Sequence, residues 1–409
     1  MDNLTLFNIY NEMFDILESK ERMSDVTQEK IKLLRDSREK LLSPGAMRSA
    51  ASRGRIKPES DCKVRSCYER DIGRILYSQA FRRLKHKTQV FFNPENDHIC
   101  SRLEHVIYVD YIAQTIGRAL NLNTDLIRAI ALGHDVGHTP FGHSGERVLD
   151  KMLKEIDPKL YFEHESNSLR VLDVLEQHGD VYGLNLSFEV RDGIICHCGE
   201  HYDEQVLVPC RDKTEEDISY LIRKNDRKGP ATLEGCVVRF SDKFAYVGRD
   251  IEDAVRTNVL GSEYRLPEEG SEMGRSNSEI INYLVEDIIE NSMDKDEIRI
   301  SDRACKALKS VLITNVDSIY KSPKVKTYES YCDLIITSLY KEFYDAVQNI
   351  DQARNSKNEA IRQFAAFVDE HPERDKPESE MPLPIFVSDY IAGMTDTYAI
   401  RCFNDLFKN

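Results

Sequence analysis

Residues 134–143 read His134-Asp135-Val136-Gly137-His138-Thr139-Pro140-Phe141-Gly142-His143. Three of the eleven histidines of the chain therefore lie within ten residues. An imidazole nitrogen next to a carboxylate oxygen is a donor pair that a borderline-hard divalent metal takes as ligands. Histidines beside such a centre are suited to acid–base work near neutral pH. The segment predicts a metal centre with proton-transferring groups next to it.

The sequence around this segment has helical periodicity. Apolar residues recur at steps of three and four from Leu103 to Ile116, and Leu126–Leu132 is almost wholly apolar. Alternation with period two is confined to Val206-Leu207-Val208, which predicts a short ribbon, and no repeat of 20–50 residues is visible. We therefore predict an all-α fold. Further predicted helices cover Ser166–Gln177, Gly235–Thr257, Glu279–Asn291, Asp302–Asn315, Tyr328–Asn349, Ser356–Asp369 and Val387–Phe407.

Proline- and glycine-rich loops suggest three parts. We expect a charged helical arm at residues 1–42, which is a candidate assembly element. A metal-binding catalytic domain is expected at residues 43–260. Residues 261–409 are expected to form additional C-terminal helices that complete the site.

The composition indicates a globular protein, since 41% of the residues are hydrophobic and 31% are charged. No apolar run approaches the roughly 18 residues of a membrane helix. The first residues lack the basic and apolar regions of a signal peptide. Ten cysteines without a CxxC pair are typical of reduced thiols. We therefore expect a cytoplasmic protein without a membrane partner.

The charge is unevenly distributed along the chain. The net charge of −15 argues against a general nucleic-acid coat. Between Ser43 and Val90, however, twelve Lys and Arg residues face four Asp and Glu residues. This excess predicts a focused anion site, with phosphate as the commonest biological candidate. The alternative is a solvated basic face that pairs with acidic groups elsewhere.

Four residues form the predicted metal set. His105 lies on one amphipathic helix, and His134 and Asp135 end the apolar helix Ile127–Gly133. Asp242 lies in the otherwise apolar segment Val237–Val247, where a carboxylate is costly to bury unless it is paired or bound to a metal. Each residue alone is more often a hydrogen-bonded core group. Together they predict a centre of two imidazoles and two carboxylates.

One competing motif is the zinc-protease helix, in which two histidines at i and i+4 face one ion. His134 and His138 have that spacing. The protease motif has Glu after the first histidine, whereas this chain has Asp135, and Gly137 and Pro140 break the helix within a turn. The sequence therefore argues against a protease.

An ordered series of further motifs runs along the chain: Ala80–Leu84, Lys87–Phe91, Arg102–His105, Gly133–Glu146, Phe162–Glu165, Ser241–Tyr246 with Asp250, and Asp389–Asp396. This series resembles the HD-domain superfamily and, within it, the deoxyguanosine triphosphate triphosphohydrolase-like family. The resemblance implies an all-helical HD core, a divalent metal, and hydrolysis of a deoxynucleoside triphosphate (dNTP) to deoxynucleoside and inorganic triphosphate. The implied metal is manganese or magnesium, with cobalt, nickel and zinc as further options.

The resemblance also implies catalytic residues. The 5′-alkoxide is a poor leaving group, so a general acid is needed, and its contribution is about 10²–10⁴-fold. We expect His143 to be this acid and Glu146, at i+3, to fix its tautomer. His164 matches a further active-site imidazole that binds the α-phosphate.

Seven positions match substrate contacts of the family. Arg102 and Lys243 are carried over as phosphate contacts. Gln89, Tyr246 and Asp250 match residues at the 3′-hydroxyl or the C2′ edge, where a tyrosine ring would exclude a ribose hydroxyl. Tyr390 and Asp396 are expected at the base end of the site. The preferred base is left open, with dGTP as one option.

The resemblance further implies a homo-oligomer, a hexamer or a tetramer, and allows an activating dNTP as a second ligand. Two other functions stay open. One is a nucleotidase or phosphodiesterase of the HD type. The other is a dNTP-sensing protein with weak hydrolysis that binds single-stranded nucleic acid through its basic segment and aromatic residues.

Overall fold

The computed structural model describes residues 23–91, 98–198 and 202–407, and the protein is all-α, as predicted. Seventeen α-helices lie in these ranges. In chain order they are α1 Asp25–Lys40, α2 Cys67–Tyr77, α3 Gln79–Arg83, α4 Arg102–Ala119, α5 Thr124–Gly133, α6 His143–Ile156, α7 His164–Arg170, α8 Phe188–Ile195, α9 Leu233–Val247, α10 Arg249–Arg256, α11 Asn277–Ser292, α12 Asp302–Asn315, α13 Pro323–Gln348, α14 Ile350–Arg354, α15 Glu359–Glu370, α16 Leu383–Ala392 and α17 Asp396–Phe407.

Two short antiparallel ribbons accompany the helices. Strand β1 (Gln177–His178) pairs with β2 (Val181–Tyr182), and β3 (Val206–Leu207) pairs with β4 (Ile298–Arg299). In the second ribbon Leu207 is opposite Ile298. The short ribbon predicted at Val206-Leu207-Val208 is confirmed, and its partner strand lies far along the chain.

The first hydrophobic core surrounds α5, which packs against α2, α4, α8 and α9. Seven residues of α5 are buried, so this helix carries apolar side chains on nearly all sides. The side chain of Asn123 caps its start by accepting from the amides of Asp125 and Leu126. Ser101 and Glu104 form a capping box at the start of α4. These caps fix the first residues of α4, which carries His105, and of α5, which is followed by His134 and Asp135.

The second core is built around the long helix α13, which packs against α6, α16 and α17. Ser322 caps α13 and Pro323 occupies its first turn, where the missing amide hydrogen has no cost. Ile336, Leu339, Tyr340 and Phe343 recur at the spacing of one helix face, and all four are buried. The helix α6 thus joins the predicted active-site segment to the C-terminal helices.

A buried ion cluster ties the two cores together. The Arg170 guanidinium at the end of α7 donates to Asp389 of α16 at 2.7 Å and to Glu373 at 2.6 Å. His371 Nε2 lies 3.2 Å from the same Asp389 carboxylate. Because carboxylates surround it, the pKa of Arg170 is raised despite its burial. These contacts join residues on either side of position 260. The domain boundary predicted near that position stays a prediction.

Two long predicted helices are each interrupted. The segment predicted as one helix at Gly235–Thr257 is α9 followed by α10, with Gly248 between them. A Cβ at Gly248 would lie 2.4 Å from the Asn277 side-chain oxygen and 3.2 Å from the Asn277 Cα, so a larger residue there would require Asn277 to shift. The predicted helix Val387–Phe407 is α16 and α17, separated by residues 393–395.

The predicted N-terminal arm is described only in part, since residues 1–22 lie outside the described residues. Its described portion contains α1, which carries no buried residue. Within the described ranges, no helix combines the length and apolar character needed to cross a membrane.

Three of the twelve cations in the basic segment at residues 43–90 pair with carboxylates of the segment itself. Arg55 forms an ion pair with Asp71 at 2.5 Å, and Arg70 and Arg74 both pair with Glu59 at 2.5 Å. The anion site predicted for this segment stays a prediction, as does the alternative of a basic face that pairs with acidic groups elsewhere.

Replacement of Leu339 by alanine tests the second core. Leu339 is fully buried in α13, whereas Leu334 of the same helix is 56% exposed. We expect Leu339→Ala to lower the free energy of unfolding by about 2–5 kcal/mol, because it leaves a cavity. Leu334→Ala is the matched control and should cost less than about 0.5 kcal/mol. Urea unfolding followed by circular dichroism measures both, and equal losses would contradict the assignment of this core.

Candidate active site

The four predicted metal ligands lie close together, and His105, His134 and Asp135 offer ligand atoms that all lie within 4.8 Å of one another. His105 comes from α4, His134 and Asp135 follow α5, and Asp242 comes from α9. His105 Nε2 lies 2.9 Å from Asp242 Oδ1 and 3.8 Å from Asp135 Oδ2. His134 Nε2 lies 3.6 Å from Asp135 Oδ2 and 3.9 Å from Asp242 Oδ1. Donors around a single ion at about 2.0–2.2 Å have separations of this size.

The hydrogen bonding of His134 fits a metal ligand. Its Nδ1 lies 2.6 Å from the carbonyl oxygen of Ala131, which can only accept, so Nδ1 carries the proton. Its Nε2 is buried and has no hydrogen-bond partner among the described residues. Ligating histidines ordinarily donate their second N–H to such a carbonyl. The residues present therefore fit a divalent metal.

The two carboxylates of the quartet remain ionised despite their burial. Burial would raise the pKa of Asp135, but the neighbouring His138 and Arg102 hold it well below its usual range. Arg102 Nη1 donates to Asp135 Oδ2 at 2.6 Å. Burial likewise opposes ionisation of Asp242, and hydrogen bonding to His105 lowers its pKa to about 2. Both side chains can thus offer charged oxygen ligands.

A second cluster lies beside the quartet, at the start of α6. His143 Nδ1 is 3.0 Å from Glu146 Oε2, and His164 Nδ1 is 3.0 Å from Glu146 Oε1. The His143 side chain is 54% exposed, whereas His164 is buried. Burial would raise the pKa of Glu146, yet the two histidines hold it well below its usual range. Glu146 therefore orients two imidazoles at once.

The loop before α6 positions His143 at the wall of the cavity. Phe141 and Gly142 both have left-handed backbone conformations, with φ of 63° and 58°. This conformation is costly for phenylalanine and is retained only when the surrounding structure imposes it. Upstream, a Cβ at Gly137 would lie 2.1 Å from the amide nitrogen of Ser168, so glycine allows this loop to contact α7. That contact brings His138 onto His164, with ring centroids 3.9 Å apart.

The two clusters open into a cavity of about 600 Å³. This volume is within the range of small-molecule sites. Among the site residues predicted from the sequence, His134 is buried and does not line the cavity. Those that line the cavity are Gln89, Arg102, His105, Asp135, His143, Glu146, His164, Asp242, Lys243, Tyr246 and Asp250.

Tyr390 and Asp396, expected at the base end, are not brought to this cavity. The Tyr390 hydroxyl lies 3.0 Å from that of Tyr398, and its ring packs on Phe343 in the second core. Asp396 is buried and accepts from the Phe141 amide at 2.9 Å. It also accepts from the amide of Thr88 at 2.9 Å. Tyr390 is thus partly buried in the second core, and the buried Asp396 holds the two loops that flank the site.

Several cavity residues were not predicted from the sequence. Arg147 and Lys154 of α6 and Arg223 and Lys224 add cations to its wall. Tyr202, Tyr320 and Tyr328 add aromatic surface, and the Tyr320 hydroxyl donates to Asp250. Burial raises the pKa of Asp250 to about 7. These residues lie outside any periodic pattern or motif of the sequence. Their place in the site could therefore not be predicted from the sequence.

His138 and His197 are further histidines at the site. His138 Nε2 lies 3.1 Å from Asp135 Oδ1, and its place in the quoted segment could have identified it. His197 follows α8, is buried, and lies with its ring centroid 4.8 Å from that of His134. Burial lowers the pKa of His197 to about 4. A lone histidine after a helix offers little signal in the sequence.

Comparison with known families shows which family the chain belongs to. An HD domain family model matches residues 102–247, and a phosphohydrolase-associated domain model matches residues 299–405. A relative from Caldanaerobacter subterraneus subsp. tengcongensis is 40% identical over 90% of this chain and 93% of its own length. It is named deoxyguanosinetriphosphate triphosphohydrolase-like protein. The chain belongs to this family.

Further relatives with the same name support the assignment. One from Desulfatibacillum aliphaticivorans is 36% identical over 90% of this chain and 94% of the relative. Another from Clostridium tetani is 34% identical over 89% and 92%. The predicted HD family is confirmed. The HD-domain match contains all four quartet residues and assigns the chain to the metal-dependent phosphohydrolases.

The structural role of Asp396 is testable by replacement with alanine. Asp396→Ala leaves the buried Phe141 and Thr88 amides without their acceptor, which costs about 1–3 kcal/mol for each orphaned group. We expect a lower thermal unfolding midpoint and faster hydrogen exchange in residues 134–146, measured by mass spectrometry. Asp405→Ala, at an exposed position of the same helix, is the control. Unchanged exchange in the Asp396 variant would refute this role.

Proposed function

We propose that this HD phosphohydrolase hydrolyses deoxynucleoside triphosphates to deoxynucleoside and inorganic triphosphate. The observation that carries the proposal is the position of the His143–Glu146 pair. This pair lies at the mouth of a cavity whose wall also contains His105, Asp135 and Asp242. A general acid and a set of metal donors thus face the same space.

The quartet would hold a divalent cation. Two imidazoles and two carboxylates suit Mn²⁺, Co²⁺, Ni²⁺ or Zn²⁺ better than Mg²⁺, which prefers oxygen donors. When bound, such an ion polarises a phosphate oxygen and lowers the pKa of a water molecule. Manganese is therefore the metal we would supply first.

His143 would protonate the departing 5′-oxygen. Its Nδ1 contacts Glu146, which leaves Nε2 as the atom available to the substrate. Glu146 fixes the tautomer and the orientation of the ring, in the manner of carboxylate–histidine pairs in other hydrolases. His164, placed on the other side of Glu146, lines the cavity and would contact the α-phosphate.

The cavity cations suit a triphosphate chain. Arg102 and Lys243 are each paired with a carboxylate, Asp135 and Glu204 respectively, so their charge is already partly balanced. Additional cations line the cavity farther along its wall: Arg147, Lys154, Arg223 and Lys224. A nucleoside monophosphate would leave most of these groups without a phosphate partner, which favours a triphosphate over an HD nucleotidase substrate.

The sugar would lie against Gln89, Tyr246 and Asp250. The side-chain oxygen of Gln89 is buried and has no hydrogen-bond partner among the described residues, so it can accept from the 3′-hydroxyl. The Tyr246 ring lines the same cavity. A ring packed on C2′ would exclude a ribose hydroxyl by steric and desolvation cost. The homo-oligomer and the activating dNTP stay predictions from the resemblance, and the single-stranded nucleic-acid partner stays a prediction from the basic segment and the aromatic residues.

Product analysis tests the proposed bond cleavage. The metal-free protein is reloaded with Mn²⁺ or Mg²⁺ and incubated with four dNTPs and four NTPs, singly and in mixtures. We expect tripolyphosphate and a deoxynucleoside from at least one dNTP, with much lower turnover of NTPs, measured by phosphorus NMR and chromatography. Pyrophosphate or orthophosphate as the first product would contradict the proposal.

The general-acid role is tested by His143→Ala. We expect kcat to fall about 10²–10⁴-fold with KM little changed, because the acid acts only in the transition state. His178→Ala, at an exposed position of β1, is the control and should leave both constants unchanged. A His143 variant with near-normal kcat would remove this residue from the mechanism.

A further inference from the structure

One side of the cavity is formed by residues 222–228, the cation segment, in which four of the seven residues are Arg or Lys. Three of its residues, 223–225, line the cavity. The chain is buried on either side of the segment, at Ile218 and Pro230, but the described residues 219–229 include no buried one. A segment without buried side chains gains little from packing, so its position depends on polar contacts.

The Glu163 carboxylate, at the end of the loop between α6 and α7, holds the cation segment at two points. Its Oε2 accepts from the Arg227 guanidinium at 2.7 Å and from the Lys224 amide at 2.9 Å. Both side chains of the ion pair are shielded from water, since 15% of Glu163 and 5% of Arg227 is exposed. Ionised partners form hydrogen bonds roughly twice as strong as neutral ones. This carboxylate therefore fixes the backbone of Lys224, a residue of the cavity wall.

Arg227 extends the connection to two further elements. Its Nη1 donates to the carbonyl oxygen of Ile195, the last residue of α8, at 3.2 Å. Its Nη2 also donates to the Ser166 hydroxyl of α7. Its Nε donates to the carbonyl oxygen of Ile222, within the segment, at 2.8 Å. Loss of the Glu163 carboxylate would leave this guanidinium without its ion-pair partner, so both residues are needed to keep the segment in place.

The attachment point is also connected to the proposed general acid. His164 follows Glu163, and its amide donates to Glu146 Oε1 at 2.9 Å. Glu146 is the residue that orients His143. The peptide unit between Glu163 and His164 is thus held by Glu146, while the Glu163 side chain holds the cation segment. The segment consequently has a defined position relative to the reacting end of the cavity.

Arg223 presents a charge that a phosphate chain would meet. Its Nη2 donates to the carbonyl oxygens of Pro158 at 3.0 Å and Lys159 at 3.4 Å. Its guanidinium lies 4.8 Å from the centre of the Tyr161 ring. Carbonyl oxygens and an aromatic ring orient a guanidinium without neutralising its charge. The planar fork of arginine matches the geometry of phosphate oxygens.

We propose that Glu163 and Arg227 are positioning residues that hold the cation segment against the cavity, where Arg223 and Lys224 bind the phosphate chain of the substrate. The inference rests on the proposed reaction and goes beyond it, since it assigns the grip on the phosphates to a segment attached by one ion pair. In this role neither Glu163 nor Arg227 touches the reacting atoms. Their loss weakens binding of the ground state and the transition state equally, which raises KM and leaves kcat nearly unchanged.

Removal of either partner tests the attachment with opposite changes of charge. Glu163→Ala removes a negative charge next to the cavity, and electrostatics alone would then strengthen binding of an anion. Arg227→Ala removes a positive charge, for which electrostatics alone predicts weaker binding. We expect both variants to raise the KM for the fastest-hydrolysed dNTP about tenfold, the loss expected for one charged hydrogen bond. The double variant should be no weaker than either single variant, because both changes act on one attachment.

Binding of tripolyphosphate gives a readout that does not require turnover. Calorimetry in the presence of Mn²⁺ should show a dissociation constant about tenfold higher in both variants, and an unchanged constant for the deoxynucleoside. Hydrogen exchange, followed by mass spectrometry, should be faster in residues 222–228. Asp226→Ala, at an exposed position of the same segment, is the control and should raise neither constant nor the exchange rate. Circular dichroism establishes folding, and Glu163→Gln, which keeps an oxygen acceptor for the Lys224 amide, is a milder variant whose KM should rise less.

An unchanged or lower KM in Glu163→Ala, additive losses in the double variant, or a fall in kcat larger than the rise in KM would overturn the positioning role. These results are separate from the test of the proposed reaction. A protein that hydrolyses a dNTP with the same KM in both variants would refute only the inference. A protein that releases no tripolyphosphate from any dNTP, but binds tripolyphosphate more weakly in both variants, would refute only the proposed reaction.

Discussion

The carboxylate of Asp135 is the interaction on which the rest of the site depends. It joins Arg102 of α4, His138 of the loop before α6 and the imidazoles of the quartet. Burial of this charge is tolerated because cationic and hydrogen-bonding groups converge on it from several elements. The packing of α4, α5 and α9 in the first core therefore has a specific result. It places the donor atoms of His105, His134 and Asp135 within 4.8 Å of one another, with Asp242 2.9 Å from His105.

Much of the fold and the centre of the site could be predicted from the sequence. The helices carried strong apolar periodicity, and Asp242 was identifiable because a carboxylate in an apolar helix needs a partner. Breaks within helices were less visible, and the close approach of Gly248 to Asn277 joins positions that are remote in sequence. Local patterns do not encode contacts of this kind.

The outer parts of the site could not be predicted in the same way. Asp396 matches a substrate-facing motif, yet its carboxylate oxygens accept hydrogen bonds from two backbone amides of the chain itself. A sequence does not distinguish a buried carboxylate that faces a ligand from one that faces an amide. His197 was missed for the complementary reason, since a single histidine after a helix is most often an ordinary core group. Its place beside His134 is visible only in the folded structure, where the two ring centroids lie 4.8 Å apart.

The buried Lys87 side chain joins two distant parts of the chain. It donates to the carbonyl of His138, in the loop before α6, and to that of Ala392 at the end of α16. Burial lowers the pKa of Lys87 well below its usual value. Because Asp396 of α17 also accepts from the Phe141 amide of the same loop, a displacement of the last two helices would be transmitted to the segment that carries His138 and His143.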